Sequence, residues 1–191
     1  MPIRFVVFNG PARAGKSTST QMLVTLLRNK GYRTNSDSFA SPMKHFAATL
    51  FAKEYHKLAK DEMVAELGGS SPRQMLIALS EEFLKPHYGE DILGRMLYYR
   101  ALRSTPPPDW VIVDDSGFRA EFEALGEPNC RYIVQLRRPG TNFRGDSRNF
   151  LADPDWYINN DGDLDMLRSS VYALSTTLIL IHRGELNAEI K

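Results

Sequence analysis

A glycine-rich stretch near the start of the chain carries the clearest chemical signal in the sequence. It reads Gly10-Pro11-Ala12-Arg13-Ala14-Gly15-Lys16-Ser17, and it lies between an apolar, β-branched run and a segment with helical periodicity. The two glycines would allow several backbone N–H groups to converge on one phosphate, and the positive end of the following helix would add to the attraction. We expect Lys16 to contact the β- and γ-phosphates, and the hydroxyl of Ser17 to bind Mg²⁺. The stretch therefore predicts a binding loop for a nucleoside triphosphate such as ATP.

The predicted nucleotide contacts extend over the loop and the first turn of the helix after it. They are Gly10, Arg13, Ala14, Gly15, Lys16, Ser17 and Thr18. A chance match in a glycine-containing turn is the alternative interpretation. A strand before the loop and a helix after it are the context that the motif requires, and both are predicted here.

Acidic residues follow two of the predicted strands. Asp114 and Asp115 end a buried apolar run, and Asp37 follows a shorter and weaker one. Because ligands of open α/β sheets bind where the strands end, these carboxylates are candidates for the chemistry. We expect Asp114 to share Mg²⁺ with Ser17, and either Asp115 or Asp37 to accept a proton from an acceptor hydroxyl. A turn or helix-cap role is the alternative for each of them.

A polar segment at about 137–150 contains Arg137, Arg138, Arg144 and Arg148, and it predicts a short lid. Arg138 and Arg148 are candidate catalytic residues, because a planar guanidinium pairs with two phosphoryl oxygens at once. The alternative is a solvated loop, at least for one or two of the four. The candidates for binding the acceptor are Phe39, Lys44, Arg73 and Arg144. Phe39 has a plain core role as its alternative, and Arg73 a surface role.

The composition is that of an ordinary globular protein. The chain has 191 residues, 42% of them hydrophobic, and a formal net charge of +1. We therefore expect one domain spanning 1–191 with no membrane partner, and both a monomer and a homodimer are compatible with the sequence. The single cysteine and the strand that begins almost at once predict a cytoplasmic protein without a signal peptide. The four histidines have no metal-ligand spacing, so no zinc site is expected.

Strands and helices alternate along the predicted chain. Besides the strand before the glycine-rich loop, we predict strands at 32–36, 110–113, 132–136 and 177–181. The predicted helices are 17–30, one starting near Pro42, 61–67, 72–84, 91–102, 121–125 and 164–174. This alternation predicts an α/β fold in which helices cover both faces of a parallel sheet.

Further short motifs follow the glycine-rich loop in a characteristic order. They are Ser38-Phe39-Ala40-Ser41-Pro42-Met43-Lys44, Pro72-Arg73-Gln74-Met75-Leu76, Tyr88-Gly89-Glu90-Asp91, Arg137-Arg138-Pro139-Gly140 and Ile158-Asn159-Asn160-Asp161-Gly162-Asp163-Leu164. Together they resemble P-loop kinases of the phage-encoded deoxynucleoside monophosphate kinase type. The resemblance implies a nucleotide-kinase fold with a five-stranded parallel sheet. It also implies a helical acceptor-binding insert at about 38–104 and a lid at about 137–150.

The sequence departs from this family after the third strand. Such kinases usually have an Asp-x-Arg pattern there, and this chain reads Asp114-Asp115-Ser116-Gly117-Phe118-Arg119. A nucleoside monophosphate is already ionised and needs no base, whereas an alcohol benefits from a carboxylate that takes its proton. The chain thus resembles more closely the kinases that phosphorylate 5-hydroxymethyluracil in phage DNA during thymidine hypermodification.

We accordingly expect phosphoryl transfer from ATP to hydroxymethyluracil in DNA. A deoxynucleoside monophosphate kinase is the alternative. A regulatory or motor P-loop ATPase is a third possibility, which the lack of room for an oligomerising module disfavours.

Overall fold

Five parallel strands form the sheet in the computed structural model, which describes residues 2–51 and 62–186. The strands are β1 (Arg4–Asn9), β2 (Thr34–Asp37), β3 (Trp110–Ser116), β4 (Arg131–Arg137) and β5 (Trp156–Asn159). Their order across the sheet is β2-β3-β1-β4-β5, and every neighbouring pair is parallel. The predicted fold class, a five-stranded parallel sheet flanked by helices, is confirmed.

Helices connect these strands in the described residues. They are α1 (Lys16–Asn29), α2 (Ser41–Phe51), α3 (Pro72–Ile77), α4 (Lys85–Tyr88), α5 (Ile92–Arg103), α6 (Arg119–Glu123) and α7 (Leu164–Arg183). A π-helical segment, Ala78–Leu84, joins α3 to α4, so helical backbone continues from 72 to 88. Side chains define the helix starts: Ser71 and Gln74 form a capping box for α3, and Asp163 accepts two backbone N–H bonds at the start of α7.

The sheet has an apolar core on each face, because successive side chains of a strand point in opposite directions. In β1, Val6 and Phe8 pack with α1 and α7 on one face, where Leu23 and Leu174 are fully or almost fully buried. Phe5 and Val7 belong to the other core, which contains residues of α5 and α6. Both faces of β1 are therefore dry, and its carboxyl end is the place where the chain must turn into the glycine-rich loop.

The fifth strand was predicted in the wrong place. Residues 177–181 lie inside α7, which runs from Leu164 to Arg183 and buries Leu167, Val171, Leu174 and Leu178. This spacing of three and four residues is helical, and it continues through the apolar run that suggested a strand. The actual fifth strand, Trp156–Asn159, is only four residues long, and Ile158 is its one fully buried side chain. Such a short edge strand carries little periodic signal.

The helix predicted at 61–67 is also wrong over the residues that the structure describes. Only Ala65–Leu67 form a 3₁₀ turn, and residue 61 lies outside the described ranges. Gly68 and Gly69 both have positive φ angles, and Val64 pairs with Ser70 in an antiparallel bridge. Val64, in the middle of the predicted helix, has extended backbone, and the two glycines turn the chain so that Ser70 reaches it.

Helix α7 is long and apolar enough to cross a membrane by length and composition, and it is the one such helix in the described ranges. Its apolar stripe packs against the sheet and α1, in the core that contains Val6 and Phe8. A helix packed in a protein core can have the same length and hydropathy as a membrane-spanning helix, so these two properties do not distinguish the two cases.

Close packing of α5 on α6 predicts that Gly94→Ala destabilises the fold. A Cβ atom on Gly94 would lie 2.1 Å from the carbonyl oxygen of Glu121 and 2.8 Å from the Cβ of Ala124. Overpacking against backbone costs about 1–3 kcal/mol, and the better helix propensity of alanine offsets at most about 1 kcal/mol of it. Urea unfolding should show the loss, whereas Glu123→Ala, at an exposed position of α6, should stay within about 0.5 kcal/mol of the parent. Equal stability of Gly94→Ala and the parent would contradict this packing.

Candidate active site

The glycine-rich loop forms a tight turn between β1 and α1. Gly15 has a φ of 106° and Arg13 a φ of 65°, both in the left-handed region. A Cβ atom on Gly10 would lie 2.6 Å from the carbonyl oxygen of Leu136, and one on Gly15 would lie 2.6 Å from Nδ2 of Asn160. Glycine is therefore required at both positions, by close approach at Gly10 and by conformation and close approach at Gly15. The result is a backbone cradle at the start of α1, the geometry that binds phosphate.

The Lys16 side chain lies over this cradle. Its Nζ donates hydrogen bonds to the carbonyl oxygens of Gly10, at 2.6 Å, and Pro11, at 2.7 Å. The ammonium group is thus held at the mouth of the loop, where a phosphate on the backbone N–H groups would meet it. The loop and Lys16 together fit the triphosphate of ATP.

Ser17 and Asp114 come together as predicted for a magnesium site. The Ser17 hydroxyl donates to Oδ2 of Asp114 at 3.1 Å, although the two residues are 97 positions apart in the sequence. Hydroxyl and carboxylate oxygens are the hard ligands that suit Mg²⁺, which retains several waters and binds phosphate oxygens as well. Within the described ranges, no group of three His, Cys, Asp or Glu side chains is arranged to hold a metal ion. Ser17 and Asp114 would thus hold Mg²⁺ jointly with a nucleotide, and the ion would neutralise charge on the phosphates.

Asp115 connects the end of β3 to the start of the helical insert. Its Oδ1 accepts a hydrogen bond from the backbone N–H of Phe39 at 2.7 Å, and its Oδ2 accepts one from Ala40 at 3.0 Å. Burial raises the pKa of Asp115 to about 6, and the charge of Asp114 acts in the same direction. The two hydrogen bonds and Lys44 act in the opposite direction. Asp115 therefore both supports the turn before α2 and titrates closer to neutrality than an ordinary aspartate.

Asp37, the other candidate base, is paired with an arginine that sequence reasoning missed. Arg100 of α5 donates to Oδ2 of Asp37 through Nε at 3.1 Å and lies 3.0 Å from it through Nη2. Oδ1 of Asp37 accepts from the backbone N–H of Ser38 at 2.7 Å. Both oxygens of Asp37 are thus already engaged. The partners are 63 residues apart, and no local pattern in the sequence links them.

Residues 138–155, which contain most of the predicted lid, have no helix or strand. Arg148 packs its aliphatic stem over Gly117, where a Cβ atom would lie 2.2 Å from that of Arg148. Its guanidinium forms a two-point ion pair with Asp146, at 2.9 and 2.6 Å. Arg148 is therefore held beside the end of β3, whereas Arg144 is exposed.

The other two arginines of the segment lie near β4 and the phosphate loop. Arg138 donates weakly to the carbonyl oxygen of Arg13 at 3.4 Å, so it reaches the phosphate loop. The guanidinium of Arg137 lies 4.5 Å from the ring centroid of Tyr157 and donates to Gln135 at 3.1 Å. Arg138 is thus the better placed of the two to contact a bound phosphate.

Two buried amide side chains, those of Asn9 and Gln135, hydrogen-bond the backbone at 149–151 and hold it against the sheet. Asn9 donates to the carbonyl oxygens of Ser116 and Asn149, both at 3.1 Å, and accepts from Leu151 N–H at 2.8 Å. Gln135 donates to the carbonyl oxygen of Leu151 at 2.6 Å. Sequence reasoning missed both amides. The available signal was a polar residue within each otherwise apolar buried strand.

Asn160, directly after β5, supports the phosphate loop from the other side. Its Nδ2 donates to the carbonyl oxygen of Ala14 at 2.9 Å, and its backbone N–H donates to Arg137 at 2.7 Å. The side chain is buried. Asn160 belongs to the motif at 158–164, which in the sequence indicated only a resemblance to other kinases. The structure gives this motif a direct role in supporting the phosphate loop.

The predicted acceptor-binding residues divide into two groups. Phe39 is only 2% exposed and packs in the apolar core, so its ring offers no free face for stacking on a base. That prediction does not agree with the structure, and the core interpretation replaces it. Lys44 and Arg73 lie near acidic residues instead: Lys44 opposes the rise that burial causes in the pKa of Asp115, and Arg73 adds to the lowering of the pKa of Asp146 that is due mainly to Arg148. Both thus remain candidates at the acceptor side.

A buried ion pair joins the insert to α6 next to these acids. The Lys85 side chain is 1% exposed and that of Glu121 is 4% exposed; Nζ of Lys85 lies 3.5 Å from Glu121 and 2.9 Å from Glu81. The same ammonium lies 3.3 Å from the ring centroid of Phe118. Burial raises the pKa of Glu121 to about 7, which Lys85 opposes and the charge of Asp115 reinforces. We call Glu81, Lys85 and Glu121 the insert latch; the sequence analysis did not find it.

Comparison with solved structures agrees with this architecture. A sugar kinase from Janibacter sp. HTCC2649 superposes with a TM-score of 0.51 and 12% identity, over 96% of this chain and 98% of the sugar kinase. The APS kinase of Mycobacterium tuberculosis in complex with AMPPNP and APS has a TM-score of 0.48 and 14% identity, over 96% and 99% of the two chains. A shikimate kinase from Bacteroides thetaiotaomicron has a TM-score of 0.48 and 14% identity, over 93% and 99%. No protein-family model and no curated protein sequence matches the chain. The chain has the fold of P-loop kinases.

The position of Lys16 predicts that Lys16→Ala weakens the binding of MgATP. Hydrogen bonds to charged groups are worth about 1.5–3 kcal/mol each, so the loss should be about tenfold to a hundredfold in Kd. Isothermal titration calorimetry would measure it, with Lys30→Ala at the exposed end of α1 as the matched control. Unchanged MgATP affinity in a folded Lys16→Ala variant would contradict the assignment of the phosphate loop.

The raised pKa of Glu121 predicts a pH-dependent stability. The folded state binds this proton more tightly than the unfolded state, in which the pKa is near 4.5, so the free energy of unfolding should fall as the pH rises from about 4.5 to about 7. Glu121→Gln removes this titration and should flatten the fall by an amount on the order of 2 kcal/mol. Urea unfolding at several pH values, with Glu123→Gln as the exposed control on the same helix, tests this. Identical pH slopes for the parent and Glu121→Gln would contradict it.

Proposed function

We propose that this protein is a Mg²⁺-dependent kinase that transfers the γ-phosphoryl group of ATP to an alcohol. The observation that carries the proposal is the phosphate loop itself. It has close-approach glycines, Lys16 lies over its mouth, and Ser17 and Asp114 are 3.1 Å apart at its edge. Phosphoryl transfer depends mainly on such positioning and charge neutralisation. A kinase that uses the ATP of a cell would act in the cytoplasm.

The charges near the acceptor side favour an alcohol over a nucleoside monophosphate. A dianionic acceptor phosphate needs arginines that are free to bind it. The two arginines nearest the candidate bases already have acidic partners, Arg100 with Asp37 and Arg148 with Asp146. Asp115 adds a carboxylate with a raised pKa at the same edge. Paired arginines together with an additional carboxylate suit a neutral acceptor that must lose a proton.

In the proposed reaction, Asp115 accepts the proton of the acceptor hydroxyl while the hydroxyl oxygen forms its bond to the γ-phosphorus. The bond between that phosphorus and the β–γ bridging oxygen breaks, and ADP leaves with the bridging electrons. Lys16 and Arg138 lie on the phosphate-loop side, where they would neutralise the phosphoryl oxygens. A carboxylate with a pKa near 6 is a better base near neutral pH than one with an ordinary value. Asp37 is the second choice, because the charged guanidinium of Arg100 holds it, whereas neutral backbone N–H groups hold Asp115.

The specific acceptor that we propose is the 5-hydroxymethyl group of hydroxymethyluracil in DNA. The support comes from the sequence, in which Asp114-Asp115 stands where the resembled monophosphate kinases have Asp-x-Arg. A base inside a duplex is hidden in the stack, so the enzyme must flip it or act on an unpaired strand. The alternative is a deoxynucleoside monophosphate kinase.

Incubation with labelled ATP and an acceptor panel tests this proposal. The panel contains hydroxymethyluracil-containing DNA, free dTMP, free dGMP and free hydroxymethyl-dUMP at equal concentration, and the products are analysed as nucleosides. Label on the hydroxymethyl oxygen of DNA supports the proposal. Label found only in nucleoside diphosphates would make the protein a monophosphate kinase, and ADP release that needs no acceptor would make it an ATPase.

The proposed base predicts different effects for two aspartate substitutions. Asp115→Asn should lower kcat for the alcohol acceptor by about a hundredfold or more, because it removes the proton acceptor. Asp37→Asn should lower the same kcat by less than tenfold, because this carboxylate is already paired with Arg100. MgATP affinity should change in neither variant.

The amide in Asp115→Asn also places an N–H₂ group against a backbone N–H of Phe39 or Ala40, so thermal unfolding must show that the variant is folded. Full activity in a folded Asp115→Asn variant would exclude Asp115 as the base.

A further inference from the structure

The outer face of α5 carries aromatic and cationic side chains that the proposed reaction does not use. Arg95, Tyr99 and Arg103 follow one another at intervals of four residues, so they lie one turn apart on the same side of the helix. All three are exposed, and Tyr99 is 52% exposed. The opposite side of α5, with Leu93, Leu97 and Ala101, is buried against the sheet.

These side chains contact one another and extend to the end of α4. The guanidinium carbon of Arg103 lies 5.9 Å from the ring centroid of Tyr99. Arg95 donates from Nη2 to the carbonyl oxygen of Tyr88, whose side chain is 54% exposed, and pairs with Asp91 at 3.1 Å. We call Tyr88, Arg95, Tyr99 and Arg103 the α5 track. Along the track, aromatic rings and guanidinium groups alternate from the end of α4 to the end of α5.

The charge of the helix indicates the partner. Helix α5 contains three arginines, Arg95, Arg100 and Arg103, and no acidic residue between Ile92 and Arg103. Met96 and Leu102 are exposed beside the track. Exposed aromatic rings interleaved with cations fit a chain of bases and phosphates, because any base can stack on a ring while each phosphate pairs with a guanidinium.

The track begins near the acidic edge of the sheet. Gly94, next to Arg95, touches the backbone of Glu121 in α6, and α6 starts three residues after β3 ends at Ser116. Because a crossover helix runs opposite to the parallel strands, the far end at Arg103 lies away from this edge. A strand bound along the track would therefore pass from the side of the molecule to the edge that carries Asp114 and Asp115.

We propose that the α5 track binds the sugar-phosphate backbone and bases of a single DNA strand that flanks the phosphorylated base. This inference rests on the proposed DNA acceptor and extends it. Tyr88 and Tyr99 stack on bases, and Arg103 pairs with a phosphate. Arg95, which pairs with Asp91 and donates to the carbonyl oxygen of Tyr88, joins α5 to the end of α4.

Fluorescence anisotropy with a fluorescein-labelled oligothymidylate tests the track without any catalysis. The variant Tyr99→Ser/Arg103→Gln should weaken binding about tenfold or more, as expected for one lost stacking contact and one lost phosphate contact. It should also reduce the slope of log K against log salt by about 0.7. The matched control is Tyr172→Ser/Arg168→Gln on α7, where an exposed tyrosine and an exposed arginine are likewise four residues apart. The control should bind like the parent.

Three results would overturn the proposal. The first is a track variant whose DNA affinity and salt dependence equal those of the parent, and the second is an equal loss of DNA affinity in the track variant and the control. The third is a track variant that changes the self-association of the protein but not its DNA binding. Tyr88→Ser, at a ring that is 54% exposed, serves as a second track variant if the double variant does not fold.

A parallel assay with free hydroxymethyl-dUMP separates this inference from the proposed function. The track variant should keep the parent rate on the free nucleotide. If DNA is bound through the track but never phosphorylated, only the proposed acceptor is wrong. If hydroxymethyluracil-containing DNA is phosphorylated equally well by the parent and the track variant, only the track is wrong.

Discussion

The close approach of two neighbouring segments to the phosphate loop is the constraint on which the candidate site depends. The carbonyl oxygen of Leu136 in β4 lies where a side chain at Gly10 would be, and the amide of Asn160 after β5 lies where one at Gly15 would be. Asn160 in turn donates to the carbonyl oxygen of Ala14. The loop therefore takes its shape from two strands beyond its own. This is a reason why β4 and the short β5 must lie beside β1 in that order.

The same edge of the sheet concentrates negative charge, and the fold gives each aspartate a different partner. Asp114 lies beside the Ser17 hydroxyl, Asp115 accepts two backbone N–H bonds, and Asp37 is paired with Arg100. Carboxylates in one buried region raise each other's pKa unless cations or donors compensate. At Asp115, burial outweighs the two hydrogen bonds and raises the pKa. The partners thus distinguish an acid beside the Ser17 hydroxyl, an acid paired with an arginine and a buried acid that titrates near neutrality.

The sequence predicted the parts of the site that are local, and it missed those that depend on long-range contacts. The phosphate loop and the acids at the strand ends were readable because each lies next to an apolar strand with a clear boundary. The proximity of Ser17 to Asp114 was also predictable. The strand that leads into the phosphate loop, β1, is parallel to β3, so both end at the same edge of the sheet. By contrast, Arg100 reaches Asp37 across 63 residues, and nothing in α5 marks it as different from its surface neighbours.

The misplaced fifth strand has a related cause. An apolar run near the end of a chain fits a buried strand or a buried helix equally well over five residues, and only the longer spacing of Leu167, Val171 and Leu174 distinguishes them. Phe39 shows the same limit, because an aromatic residue after a strand can face a ligand or the core. Its burial was decided by the packing of α2 and α5 around it.

The insert latch joins helical residues 72–88 to α6, close to the acids at the end of β3. Buried ion pairs contribute little net stability, because desolvation offsets the attraction, but removing one partner is costly. The loss of either Lys85 or Glu121 would therefore leave a buried charged group without one of its partners. Asp115 holds the other end of the same insert through the N–H groups of Phe39 and Ala40. Burial raises the pKa of Glu121 and the charge of Asp115 acts in the same direction, so the two attachments are electrostatically linked. The proposed base and the insert latch thus belong to one charged network, so a shift of the latched helices would change the surroundings of that base.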